Sequence, residues 1–339
     1  MTNLNTIGEI GLLNRIAAAM PGPVQPTTRL GFGDDAAVFD LDEFSYGLFA
    51  SALLLEGVQF DLTYFPLQHL GYKAVSTGVA KIAAMNGLPM QLSLSVGMSS
   101  RFTLEAVDAL YEGVRGACEA YGVDWVGGDI TTSRVGLTLA VSVTGRVSKD
   151  KITYRDTAKP NDVLCVTGDL GAAYLGLQLL EREKQEFLAN PDMQPALTEE
   201  TAYLVQRQLR PEARTDTIHE LRDLGILPTA MIGVPDGLAA ALLHLCQDSK
   251  TGAIIFDNNL PIDDQSYLTA TEFSISPITA ALNGGDDYEL LFTVPPAEFE
   301  KLKNSSRVTA VGYLTNDPAQ VILATKAGQQ TPIRAQGFQ

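Results

Sequence analysis

The sequence predicts an α/β chain of the α+β kind, in two halves that each carry a mixed sheet. Three observations predict it. Short β-like runs alternate with long helical patterns along the whole chain. A polar stretch, SKDKITYRDTAKPND (148–162), interrupts that order and is the candidate boundary. Directly after it the order restarts in DVLCVTGDLGAAYLGLQLLERE, a strand, a glycine turn and a helix. At 339 residues the chain has material for two ordinary cores, expected over 1–148 and 149–339.

The first half opens with IGEIGLLNRIAAAM (7–20), whose apolar spacing is helical and which PGPVQP terminates. AAVFD and YGLFASALLL read as strands. PLQHLGYKAVSTGVAKIAAMNG (66–87) reads as a long helix, with proline at its start and Asn86-Gly87 as its stop. QLSLSVGM is a strand, FTLEAVDALYEGVRGACEAYG a helix, and VGLTLAVSVTGRV a strand with clear alternation. In the second half, EKQEFLANPDMQPALTEE is a polar excursion, followed by helices near 199–209 and 216–223. TAMIGV is a strand, GLAAALLHLC a helix and AIIF a strand. YELLFTV, RVTAVGYL and QVILAT are strands around a helix at 296–303.

Composition narrows the functional classes. Hydrophobic residues make up 45% and charged residues 19%, which describes a packed globular protein. The net charge of −16 argues against nucleic-acid binding and suits anions handled through bound cations. No run is apolar and long enough to cross a membrane, and the first residues lack a secretory leader's pattern. Three scattered cysteines read as buried thiols in a reducing cytoplasm. Three widely separated histidines leave little material for histidine-based metal or triad chemistry.

GFGDDA (31–36) matches the dinucleotide pattern G-x-G-x-x-A, but a proline-rich loop precedes it and a β-like run follows, which argues against that use. VTGDLGAAY (166–174) runs from strand through glycines into a helix and could hold phosphate. The plainer reading, a tight turn with Asp169 as N-cap, is preferred. The stronger signal is collective. GFGDD, GGDI, VPDGL and GGDDYELLF each set an acid beside glycine at an expected strand end. Any one of these is an ordinary turn. Together they suit a hard cation bound alongside phosphate.

GFGDDAAV, LLEGVQFDLTYFPLQHLGYKAV, AAMNG, VGGD, VTGDLGAAYLGLQLLE, PDGLAAALLHL and GGDDYELLFT occur in order across nearly the whole chain. Together they closely resemble the thiamine-monophosphate kinases of the aminoimidazole-ribonucleotide-synthetase superfamily. The resemblance implies an N-terminal domain (1–148) that binds ATP and Mg²⁺ and dimerises through its sheet, and a C-terminal domain (149–339) closing over the cleft. It implies ATP-dependent phosphorylation of thiamine phosphate in a cytoplasmic homodimer. It places metal at Asp35, Asp129, Asp236 and Ser51, nucleotide at Gly128, Asp129 and Arg155, and substrate at Gln59, Asp286 and Phe338. No residue is assigned as catalytic, since the substrate's own phosphate is the nucleophile.

The chain departs from that family's pattern at Ala52, Lys81, Gly233 and Pro235, which stand where metal or nucleotide ligands are expected. Gln59 replaces a histidine, Asp286 a glutamate and Phe338 a tryptophan. Fewer Mg²⁺ ions are therefore expected. The alternative to an active kinase is a weakened or silent homologue that binds nucleotide or thiamine phosphate. Lys73, Thr77 and Lys81 fall at i, i+4 and i+8 and share a helix face. The Lys81 ammonium is placed either against Asp35 or Asp129, as a fixed charge in place of a metal ion, or out in solvent.

Overall fold

The computed structural model describes residues 8–20, 22–190 and 198–335. In the first half α1 (Gly8–Ala19), α2 (Leu67–Ala83) and α3 (Leu104–Tyr121) accompany six strands. These are β1 (Thr28–Leu30), β2 (Ala37–Asp40), β3 (Ser45–Leu55), β4 (Leu88–Met98), β5 (Asp124–Thr132) and β6 (Thr138–Ser148). They form one sheet in the order β1-β2-β3-β6-β4-β5, antiparallel except for β4 beside β5. The order GGD at 127–129 thus belongs to a strand, not to a turn. The pair Gly127-Gly128 and the absence of alternation hide β5 from a pattern search.

The second half begins with β7 (Val163–Thr167), α4 (Ala172–Ala189), α5 (Glu199–Leu209) and α6 (Thr215–Asp223). It continues through β8 (Ala230–Val234), α7 (Leu238–Ser249), β9 (Gly252–Phe256), α8 (Asp264–Glu272) and α9 (Pro277–Asn283). It closes with β10 (Glu289–Val294), α10 (Pro296–Leu302), β11 (Val308–Thr315), β12 (Val321–Ala324) and β13 (Gln330–Pro332). Its seven-stranded sheet runs β13-β12-β9-β11-β7-β10-β8, with β9 and β12 the parallel pair. Both sheets are mixed, as the sequence predicts. The helices α8 and α9 were not expected, because DQSYLTATE and PITAALN are short and weakly periodic.

Helix α2 links the two halves. Of its 17 residues 12 are buried, on every side. One side lies on β3 and β6, another on α3, and further contacts reach β8, α5 and α6. Its approach to α3 requires two glycines: a Cβ on Gly71 would overlap the Leu110 carbonyl, and one on Gly113 the Gln68 carbonyl. At its C-terminal end, Ala83 and Ala84 pack with Cys165, Met231, Leu290 and Phe292 of the second sheet. The opposite face of the first sheet is open. Phe49, Ser51, Leu53 and Leu55 of β3 project from it and are exposed, alternating with buried Leu48, Ala50 and Leu54.

Below the second sheet lies a buried charge network. Glu289, 0% exposed, receives Arg207 at 2.7 Å and Arg214 at 2.5 Å, and Thr167 Oγ1 donates to it at 2.5 Å. Buried charge is tolerated only when paired and hydrogen-bonded, and here one carboxylate anchors two guanidinium groups from α5 and the start of α6. Removing it leaves both without their shared counter-ion. Glu289→Gln is therefore expected to lower unfolding stability by about 3–5 kcal/mol, read as a shifted urea midpoint. An unchanged midpoint would mean that neighbouring acids or water neutralise both arginines.

Candidate active site

The paired acids of GFGDD occupy the turn between β1 and β2, entered through Gly33 at φ +123°. They point to different tasks. Asp34 Oδ1 accepts the Asp35 amide at 2.8 Å and its Oδ2 accepts the Arg155 amide at 3.1 Å. Asp34 is thus a clamp that ties residue 155, in the link between the halves, to the loop. Burial and the neighbouring Asp35 push its carboxyl up to about 7, against the pull of the amides and Arg155. Asp35 faces the end of α2 and the end of β8. A Cβ on Gly233 would stand 3.6 Å from its Oδ1, and its Oδ2 is buried with no hydrogen-bond donor. Burial raises the Asp35 carboxyl above its ordinary range, while the charges of Arg155 and Lys81 and the Gly233 amide draw it down.

Arg155 is half-buried, with Nε 2.7 Å from Asp248 Oδ2 on α7, a close ion pair whose N–H is not aligned for a hydrogen bond. β8 carries Gly233 near its end, and the turn after it carries Pro235 and Asp236, both exposed. Pro235 accepts the Asp286 amide through its carbonyl at 2.6 Å, which joins this turn to the 284–288 segment. Asp286 and Tyr288 both hold left-handed backbone, at φ +61° and +55°, an uncommon state for residues with a Cβ. Asp286 Oδ2 accepts from Lys73 Nζ at 3.0 Å and from Gln208 Nε2 at 3.3 Å. Gln59 contributes its carbonyl to Lys73 at 3.4 Å. Its side chain folds back to accept the Leu55 amide at 2.9 Å.

Asp35, Gly233, Pro235 and Asp286 are thus brought together beside α2, which carries Lys81; Arg155 joins them through Asp34, and Asp236 follows Pro235 in the same turn. Other expected site residues lie elsewhere. Asp129 and Gly128 are on β5, the far edge of the sheet from β1 and β2. That is four strand spacings from β2, on the order of 19 Å along the sheet. Asp129 and Ser51 are exposed. Gly128 has a local reason to be glycine, since a Cβ would overlap the Leu94 carbonyl. Ala52 packs against the first core. Phe338 lies outside the described residues. Among those residues no group of three or more His, Cys, Asp or Glu gathers as a metal cage. Mg²⁺ needs only one or two carboxylates when phosphate and water complete its shell. The orphaned buried oxygen of Asp35 fits that role, with Asp236 on the adjoining turn.

The start of α4 corrects the reading of VTGDLGAAY. Its amides are taken by Asp287, whose Oδ2 accepts from Gly171 at 2.8 Å and Oδ1 from Ala173 at 3.3 Å. The protein's own carboxylate occupies the place a phosphate would take. Asp169 does not cap the helix. It accepts from Tyr203 OH at 2.5 Å and lies near Arg207. Nothing in the sequence near residue 170 points to a cap more than 110 residues away.

Comparison with known proteins follows the same geometry. The profile described as AIR synthase related protein, N-terminal domain, matches residues 33–147. A thiamine-monophosphate kinase of Bacillus subtilis (strain 168) is 32% identical over 302 residues, 87% of this chain and 89% of that one. Its counterpart from Aquifex aeolicus (strain VF5) is 32% identical over 309 residues, covering 91% and 92%. A solved structure described as AaThiL complexed with AMPPCP and TMP superimposes with a TM-score of 0.83 at 28% identity, over 98% of this chain and 97% of that one.

Asp287 gives a pH test. Burial, partly offset by Arg207 and the Gly171 amide, pushes its carboxyl up to about 7. A carboxyl raised on folding adds stability that is full below its ordinary value near 4 and is lost as pH rises through about 7. The melting temperature of the parent relative to Asp287→Asn should therefore fall between pH 5 and pH 8. A difference that stays flat over that range would mean the buried carboxyl is ionised throughout.

Proposed function

The chain belongs to the thiamine-monophosphate kinase family, and from that premise we propose that it transfers the γ-phosphoryl group of ATP to thiamine phosphate, forming thiamine diphosphate and ADP. The observation that carries the reading is the near-complete match, in fold and length, to a relative solved with AMPPCP and TMP. The cleft adds chemistry suited to it. Phosphoryl transfer asks a protein mainly for positioning and charge stabilisation, and this site offers carboxylates, two cations and turns rather than a nucleophile or a histidine base. The phosphate of thiamine phosphate attacks the γ-phosphorus, the bond to the β–γ bridging oxygen breaks, and ADP leaves with the electron pair.

Asp35, with Asp236, holds Mg²⁺, whose role when bound is to neutralise charge on the phosphates. Lys81 adds a fixed positive charge beside Asp35, but as a single ammonium it does not bridge phosphates as a divalent ion does. Arg155 serves the nucleotide from the link between the halves. Gln59, Asp286 and Phe338 serve the acceptor. The relatives provide nothing in favour of a silent homologue.

We further propose a cytoplasmic homodimer formed through the open face of the first sheet. Phe49, Leu53 and Leu55 make that face apolar, and Leu53 is 55% exposed. Asp129, paired in register with Ser95, and Ser51 lie on this face and meet the second copy. The boundary at 148/149 is supported by the end of β6 at Ser148 and the start of β7 at Val163.

Product formation from ATP, Mg²⁺ and thiamine phosphate, followed by chromatography of thiamine diphosphate, tests the activity. Asp35→Asn is expected to lower kcat on the order of 100-fold or more, as for other charge-stabilising groups. A parent protein that forms no product would sink the kinase reading. For assembly, Leu53→Asp should elute as a monomer in light-scattering chromatography where the parent is a dimer. A variant that remains dimeric would move the interface elsewhere.

A further inference from the structure

Lys73 is among the largest side chains with no exposed surface in the described residues, at 0%. Its ammonium reaches Asp286 Oδ2 at 3.0 Å, the Gln59 carbonyl at 3.4 Å and the Gln208 carbonyl at 3.4 Å. It stands 5.4 Å from the centre of the Phe65 ring. Three N–H donors thus meet three acceptors, each from a different part of the chain: the β3–α2 loop, α5 and the 284–288 turn. Gln208 also donates its side-chain amide to the same oxygen of Asp286. The loop holding Gln59 is fastened a second time, by Lys184 to Asp61 at 2.7 Å and by Tyr64 OH to Glu181 at 2.8 Å. Asp286 is the member of this group that the cleft sees, with its side chain 29% exposed.

We propose that Lys73 is a positioning residue for the phosphoryl acceptor: it holds the Asp286 carboxylate and the Gln59 loop in one geometry without touching the nucleotide end of the cleft. This rests on the kinase reading above for the identity of the acceptor. The physical grounds are independent of it. Asp286 sits on left-handed backbone that local sterics do not favour, so its direction depends on what grips it. The gripping oxygen is Oδ2, which Lys73 and Gln208 share. With its charge compensated from inside, Asp286 presents the cleft with an aimed hydrogen-bond acceptor in place of a free anion, which suits a substrate that itself carries phosphate. Asp35 lies beside Gly233 at the end of β8, and Arg155 is held there by Asp34 and Asp248, apart from the partners that Lys73 engages.

The test uses titration calorimetry with thiamine phosphate and, separately, a non-hydrolysable ATP analogue, on the full chain. Lys73→Met should weaken thiamine-phosphate binding by up to about 100-fold, within the range of coupling energies inside one hydrogen-bond network, and leave analogue affinity within about twofold. Lys73→Arg, which keeps the charge, should recover part of the loss. In an Asp286→Asn background, Lys73→Met should add nothing further, because it acts through that carboxylate. Equal weakening of both ligands, or losses that add in the double variant, would show Lys73 to be a general packing residue and overturn the proposal. Should Lys73→Met not fold, Lys73→Arg decides: selective weakening toward thiamine phosphate supports the proposal, and equal weakening overturns it. A parent that binds both ligands yet makes no thiamine diphosphate would defeat the kinase reading while leaving this test intact.

Discussion

Everything in this molecule is arranged around a helix that has no free side. Helix α2 carries the first sheet on one flank, α3 on another, and reaches the second half at its end. A helix buried all round has its rotation fixed by packing, so the side chains on each of its faces have fixed addresses. Lys73 and Lys81 are two turns apart, roughly 12 Å along the axis. One pairs with Asp286 at the far side of the cleft, and the other acts on Asp35 beside the first sheet. Of the two cations, Lys73 ties α2 directly to an acid that arrives on a loop of the second half.

The second half is held from beneath by a different device. Asp169, Asp287 and Glu289 face Arg207 and Arg214, with Tyr203, Thr167 and backbone amides completing their hydrogen bonds. Such a network contributes little net stability relative to an apolar core of the same shape, but it penalises any rearrangement that parts its members. It fixes α5 and the start of α6 to the strand that follows the Asp286 turn. The two acids of GGDDYEL thus divide their roles as the acids of GFGDD do. Asp34 and Asp287 hold backbone amides, while Asp35 and Asp286 face the cleft.

The sequence made the regular elements legible where burial imposes a period. α2, α3, β3 and β6 lie where their patterns put them, because each has one face against a core. β5 was missed, since at a sheet edge with both faces exposed no alternation is imposed on it. The capping of α4 by Asp287 was missed because a contact between residues 116 apart leaves no local trace. The site was half-legible. The acid-bearing turns pointed to phosphate chemistry, and the cleft brings Asp35, Asp236 and Asp286 into one neighbourhood. Glycine-acid spacing contains nothing about sheet order, so it could not reveal that Asp129 sits at the opposite edge. Gln59 shows the same limit: that its side chain accepts the Leu55 amide and its carbonyl accepts from Lys73 is not written in its residue type.

Asp287 stands between two residues with left-handed backbone, Asp286 and Tyr288, in a segment with no slack. Whatever moves Asp286 must drag Asp287, and Asp287 is what keeps the amides of Gly171 and Ala173 hydrogen-bonded. Those two amides are consequently a built-in gauge of the acceptor side of the cleft, lying at a helix start more than 100 residues away in sequence. Their hydrogen-exchange rates record whether the turn is gripped or loose, with no label attached to the site itself.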